Sequence, residues 1–149
     1  MNCEPIGFVK SPAIDGVDEG WKKVVSEVHL DKKYEQGLLG IDKFSHIIVV
    51  YEMHRSIWNP STDLVRRPQG RPEYPLMGIF AQRTKLRPNP IGITSVKLLG
   101  VEGNILKVLG LDAIDGSPVI DIKPYYPIFD RVEEAQTPEW VERVTLRYY

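Results

Sequence analysis

Apolar residues recur mostly at every second position along this 149-residue chain, the spacing of strands with one wet face. Pro5–Ser11 reads as a first strand. In the next, Val24, Ser26, Val28 and Leu30 point one way and Val25, Glu27 and His29 the other, because successive side chains of a strand face opposite sides. Asp31 is placed to cap a short helix through Gln36, which Gly37 weakens or ends. Leu38–Phe44 leads into His46–Met53, where Ile47-Ile48-Val49-Val50 predicts a strand covered on both faces. Asn59–Tyr74 carries Pro60, Pro68, Gly70 and Pro72 and predicts a long irregular loop, a kind usually functional or disordered in a compact domain. Met77–Gln82 reads as a strand, and Ile93–Val101 pairs with Ile105–Leu111 around Glu102-Gly103-Asn104. Asp115-Gly116 turns the chain into Val119–Lys123. Near the end, Val144, Leu146 and Tyr148 alternate with Thr145 and Arg147, a closing strand. About seven strands, short turns and one or two short helices predict one all-β domain over residues 1–149, a barrel or a sandwich. There is no strand–helix–strand rhythm, no G-x-G-x-x-G and no G-K-[ST] loop, so any nucleotide-like ligand is held by another device.

Composition adds exclusions. The chain is 42% hydrophobic and 26% charged, ordinary for a soluble globular protein. No apolar run approaches the roughly 20 residues of a membrane helix, and Met1–Lys10 lacks a signal-peptide pattern. A cytoplasmic protein without membrane contact is expected. The single cysteine, Cys3, excludes an internal disulfide and a cysteine metal cluster. His29, His46 and His54 lie far apart, and Asp112, Asp115 and Asp121 lack further oxygen ligands, so no metal is expected. Net charge is −1, yet Leu64–Pro90 holds Arg66, Arg67, Arg71, Arg83, Lys85 and Arg87 against Glu73 alone. Asp130–Glu142 is mostly acidic. A neutral total can therefore hide a basic face.

Three segments carry candidate chemistry. In Arg83…Arg87-Pro88-Asn89-Pro90-Ile91-Gly92, each proline fixes its own φ and extends the residue before it. Arg87 and Asn89 are thus displayed from a stiff rod, and Gly92 permits a close backbone approach. The same pattern also fits a proline-stiffened turn. In Leu111–Tyr125, Asp112 and Asp115 fit turn residues, while Asp121 fits a partner for an arginine or an amide. In Phe44–Arg55, His46 and His54 bracket a buried strand, and His54-Arg55 sets two donors at its end. A structural histidine and a ligand-binding one both fit there.

The order Pro5-Ile6-Gly7…Ser11-Pro12, Leu39-Gly40-Ile41…Phe44-Ser45-His46, Arg83…Arg87-Pro88-Asn89-Pro90-Ile91-Gly92 and Leu111-Asp112-Ala113-Ile114-Asp115-Gly116-Ser117-Pro118-Val119-Ile120-Asp121-Ile122-Lys123-Pro124-Tyr125 resembles the TrmO family of tRNA threonylcarbamoyladenosine methyltransferases. The resemblance covers almost the whole chain. It implies a single barrel of antiparallel strands, a homodimer, and S-adenosylmethionine (SAM) bound near the subunit boundary. It implies methylation of N6 of threonylcarbamoyladenosine beside the tRNA anticodon. Matching positions give His54, Arg55, Arg83, Ile93, Leu111, Asp112 and Ala113 as SAM contacts. SAM's carboxylate suits an arginine, and its ammonium and ribose hydroxyls suit acceptors. Arg66, Arg67, Arg87 and Asn89 are the expected contacts to the anticodon loop, and Asp115 is the candidate base, with a turn-forming role as the other reading. Two features depart from the family. Ala13–Lys22 replaces a Pro-Arg-Gln motif with an acidic loop holding Trp21, and longer members carry an additional C-terminal domain. The rival readings are a SAM-dependent methyltransferase of a small molecule and a non-catalytic RNA- or ligand-binding barrel.

Overall fold

A computed structural model describes residues 3–15 and 19–148. Its strands are β1 (Gly7–Lys10), β2 (Val25–Leu30), β3 (His46–Glu52), β4 (Val65–Arg66), β5 (Met77–Gly78), β6 (Ile91–Glu102), β7 (Ile105–Leu109) and β8 (Pro118–Pro124). Its α-helices are α1 (Pro60–Asp63), α2 (Pro127–Asp130) and α3 (Glu139–Tyr148). Six strands close a barrel in the order β1-β2-β7-β6-β3-β8, and β4 pairs β5 in a separate ribbon. All pairings are antiparallel, and closure joins Gly7 to Val119 and Phe8 to Pro118.

Alternation fills the interior. Val9, Val28, Leu30, Ile47, Val49, Val96, Leu106, Val108 and Val119 are buried in one cluster, each on the inward side of its strand. Their removal from water drives the fold at about 25 cal/mol per Å² of apolar surface. Close strand crossings need small residues: a Cβ on Gly7 would lie 2.2 Å from the carbonyl oxygen of His29. The β6–β7 hairpin turns on Gly103, whose φ of +57° suits glycine.

The structure corrects several expectations. The barrel has six strands, because Met77–Gln82 supplies only β5, outside the barrel, followed by a 3₁₀ turn at Ile79–Ala81. The expected closing strand is instead α3. Trp140, Val141, Val144 and Tyr148 fall at helical spacing, and over so short a segment this period and the strand period overlap. Glu139 and Glu142 in the first turn and Arg147 in the last suit the helix dipole. Asp31 precedes a 3₁₀ helix, Lys32–Leu38, which runs through Gly37, and its side chain makes no capping hydrogen bond. Within Asn59–Tyr74 the chain is more ordered than expected. Asn59 caps α1 by accepting from the amide of Ser61, and β4 follows.

Candidate functional site

The C-terminal end of β3 and the start of β6 meet in register, Tyr51 opposite Gly92 and Glu52 opposite Ile91. The Met53 amide donates to Pro90. His54 and Arg55 thus lie beside the proline rod, and the Ser56 hydroxyl donates to Lys85. A Cβ on Gly92 would come within 2.3 Å of the Tyr51 ring, so this glycine does permit a close approach. Across it, the Tyr51 hydroxyl reaches the carbonyl and Oδ1 of Asp112, both at 2.9 Å. The Thr94 hydroxyl also donates to Asp112 Oδ1. From α3, the Tyr148 hydroxyl donates to Oδ2 at 2.7 Å. Asp112 is therefore a carboxylate fixed by three hydroxyls from β3, β6 and α3, a rigid acceptor for a hydroxyl or ammonium.

The other expected SAM contacts lie on segments that adjoin these holders in sequence or by hydrogen bond. Arg83 is exposed and donates to the carbonyl of Ile93 at 2.9 Å, which brings those two residues together. Arg55, also exposed, donates to the Ile14 carbonyl and to Asp15 Oδ1, tying the Ala13–Lys22 loop to the end of β3. Residues 16–18 of that loop lie outside the described residues, whereas Trp21 is buried at 2% exposure and acts as packing. The Leu111 and Ala113 side chains are core, which leaves their backbone groups for a ligand. His54 Nδ1 is buried without a hydrogen-bond partner among the described residues. A buried unpaired polar atom is costly, and this one sits where a polar ligand is expected. Two guanidinia, a fixed carboxylate, backbone groups and an orphaned imidazole nitrogen suit SAM's donor and acceptor set.

Of the expected RNA contacts, Arg66 and Arg87 are joined through Gln82, whose amide nitrogen donates to the Arg66 and Met77 carbonyls and whose carbonyl accepts from Arg87. Arg66 pairs with buried Asp63 at 2.6 Å. The Asn59 amide foremost, then Arg66, hold that carboxyl below its usual range. Arg67 donates to the Tyr74 carbonyl. Arg87 donates to the carbonyls of Ile79 and Gln82 and lies over the Phe80 ring. All three arginines thus brace the loops, and each, half-buried, has more N–H donors than these bonds use. Asn89 is exposed. Asp115 is held in its turn: Oδ1 accepts the Ser11 amide and its own amide donates to Ala13.

Sequence reasoning missed Tyr51, Thr94 and Tyr148 as holders of Asp112. Inward parity flags Tyr51 and Thr94, since each is a polar-tipped residue on an apolar face. Tyr148 is visible only once α3 is read as a helix.

Among relatives, a Probable S-adenosyl-L-methionine-binding protein of Pyrococcus abyssi is 38% identical over 96% of this chain and 78% of its own length. An S-adenosyl-L-methionine-binding protein of Archaeoglobus fulgidus is 44% identical over 91% of this chain and 97% of its own. The tRNA (adenine(37)-N6)-methyltransferase of Escherichia coli is 35% identical over 89% of this chain, which spans 60% of that protein. The crystal structure of TrmO from Pseudomonas aeruginosa superposes with a TM-score of 0.74 at 28% identity, over 91% of this chain and 60% of that one. Residues 16–131 match the tRNA-methyltransferase O N-terminal domain. With the barrel and the Asp112 site in place, the chain belongs to the tRNA-methyltransferase O N-terminal domain family.

Proposed function

We propose that this chain is a SAM-dependent tRNA methyltransferase acting on N6 of an adenosine beside the anticodon, with threonylcarbamoyladenosine as its substrate. The observation that carries this reading is the Asp112 carboxylate, fixed by three hydroxyls beside His54, Arg55 and Arg83 in a chain of this family. SAM supplies an electrophilic methyl on a sulfonium. The protein's share is placement, since in-line alignment of the acceptor nitrogen is the main requirement. Arg83 and Arg55 hold the carboxylate end, Asp112 accepts from ribose hydroxyls or the ammonium, and the backbone of Leu111–Ala113 meets the adenine. An acyl-type substituent eases proton loss from the target nitrogen, so a strong base is not required. Asp115, engaged with the Ser11 amide, serves its turn in this reading. Arg66, Arg67, Arg87 and Asn89 contact the anticodon loop, the arginines through N–H groups not engaged with the loop carbonyls or Asp63.

The same reading places the enzyme in the cytoplasm as a homodimer. Phe80, Ile91 and Ile93 are 77%, 49% and 52% exposed beside Arg83, an apolar rim suited to cover by a second copy. Sedimentation is expected to give a dimer. A monomer methylating at full rate would remove the shared site.

The decisive experiment is mass spectrometry of nucleosides after incubating one tRNA, with and without the threonylcarbamoyl group, with SAM. Methylation of the modified form alone is expected. SAM binding without methylation of either form would favour the small-molecule reading, for which the missing Pro-Arg-Gln motif speaks.

A further inference from the structure

Two of the sequence blocks that carry the family resemblance, Phe44-Ser45-His46 and Lys123-Pro124-Tyr125, supply none of the expected SAM contacts, yet the fold brings them together. The Tyr125 amide donates to the His46 carbonyl at 3.1 Å, and the two rings meet edge-on at 6.5 Å. They border an open groove of about 610 Å³, lined by Lys43, Phe44, His46, Tyr125, Tyr126 and Ile128 among others. Phe44, Tyr126 and Phe129 form a run of rings 5.9 and 6.0 Å apart, tilted by 34° and 35°. Tyr126 is 43% exposed and Phe129 78%, so these rings present faces to solvent instead of filling a core.

We propose that this groove stacks unpaired nucleotides of the RNA substrate at a distance from the methylated base, a second contact separate from the Asp112 end of the barrel. The inference rests on the tRNA reading above. Base–aromatic stacking is tolerant of sequence because every base has a π-face, and it needs cations nearby for the phosphates. Three are at hand. Lys43 is exposed on the groove wall, Lys97 lies opposite His46 across the β3–β6 pair, and Lys123 lies opposite Ile48 across the β3–β8 pair. Pleating sends Lys97, His46, Ile48 and Lys123 to the same outer face. Of the carboxylates close by, Asp130 accepts the Tyr126 amide and Asp121 pairs with Lys123, while Asp42 is exposed. Six residue steps of β3 separate His46 from Glu52, about 20 Å at the rise of a strand. The groove therefore meets nucleotides away from the target base.

The test is fluorescence anisotropy of a labelled anticodon stem–loop RNA with the full chain. Tyr126→Ala/Phe129→Ala should weaken RNA binding about tenfold or more, with SAM affinity and circular dichroism unchanged. Tyr126→Phe, which keeps the ring, should bind as the parent does. Lys97→Glu, at an exposed barrel position, should weaken binding and flatten its salt dependence. RNA affinity unchanged in the double variant and in Lys97→Glu overturns the groove while leaving the substrate reading intact. A changed sedimentation coefficient with unchanged RNA affinity overturns it in favour of a second copy seated there. Absence of RNA binding by the parent chain overturns the substrate reading and the groove together.

Discussion

At the scale of single residues, the site depends on small atoms giving way to large ones. Gly92 lets the Tyr51 ring lie across β6, and only then does the hydroxyl reach Asp112. Gly92→Ala should cost about 1–3 kcal/mol through overpacking and weaken SAM binding, read by urea titration and calorimetry. Tyr51→Phe keeps the ring and removes one donor to a carboxylate, so it should lower SAM affinity by about 1.5–3 kcal/mol with less loss of stability. Arg83→Ala should weaken SAM by a similar amount; unchanged affinity in calorimetry would remove Arg83 from the site. The need for a glycine at 92 was legible, because R-P-N-P-I-G places it just past a rigid rod. The hydroxyls that hold Asp112 were not, since a strand's parity tells which face a tyrosine takes but not which distant acceptor it meets.

At the scale of elements, strands with strong alternation were legible and segments with mixed signals were not. β2, β3, β6 and β8 follow their sequence patterns closely. Residues 144–148 satisfy both periods, and the helix prevails because Glu139, Arg143 and Arg147 suit its dipole and its i,i+4 spacing. No residue of α3 is buried. Val144→Pro should therefore abolish its helical signal in far-ultraviolet circular dichroism, proline being about 3 kcal/mol unfavourable in a helix, while the barrel melts at nearly its parental temperature. The Asn59–Arg66 turn makes a pH prediction. Asp63 has a lowered pKa, so its stabilisation is present above the ordinary carboxylate range and disappears as pH falls through the depressed value. The protection factor of the Asn59 amide, its exchange rate corrected for the intrinsic pH dependence, should fall in acid, and Asp63→Asn should remove most of that fall.

For the whole molecule, the barrel places its Asp112 cluster and its aromatic groove toward opposite ends of β3, with the β4–β5 ribbon outside the barrel. Leu106, fully buried, reports on the common core: Leu106→Ala should cost about 2–5 kcal/mol in denaturant unfolding without singling out either site. All-β character was plain from the sequence, whereas strand number was not, because nothing local separates a barrel strand from the short β4–β5 ribbon. Closure has a further consequence, for the order in which the protein is made. Gly7 and Phe8 pair with Val119 and Pro118, so the seam must wait until most of the chain has left the ribosome. Contacts so distant in sequence slow folding. Until then β1 and β8 are exposed edges, the places where one unfinished chain can pair with another. Expression should consequently be most sensitive to substitutions at this seam, even though the finished barrel shows no edge there.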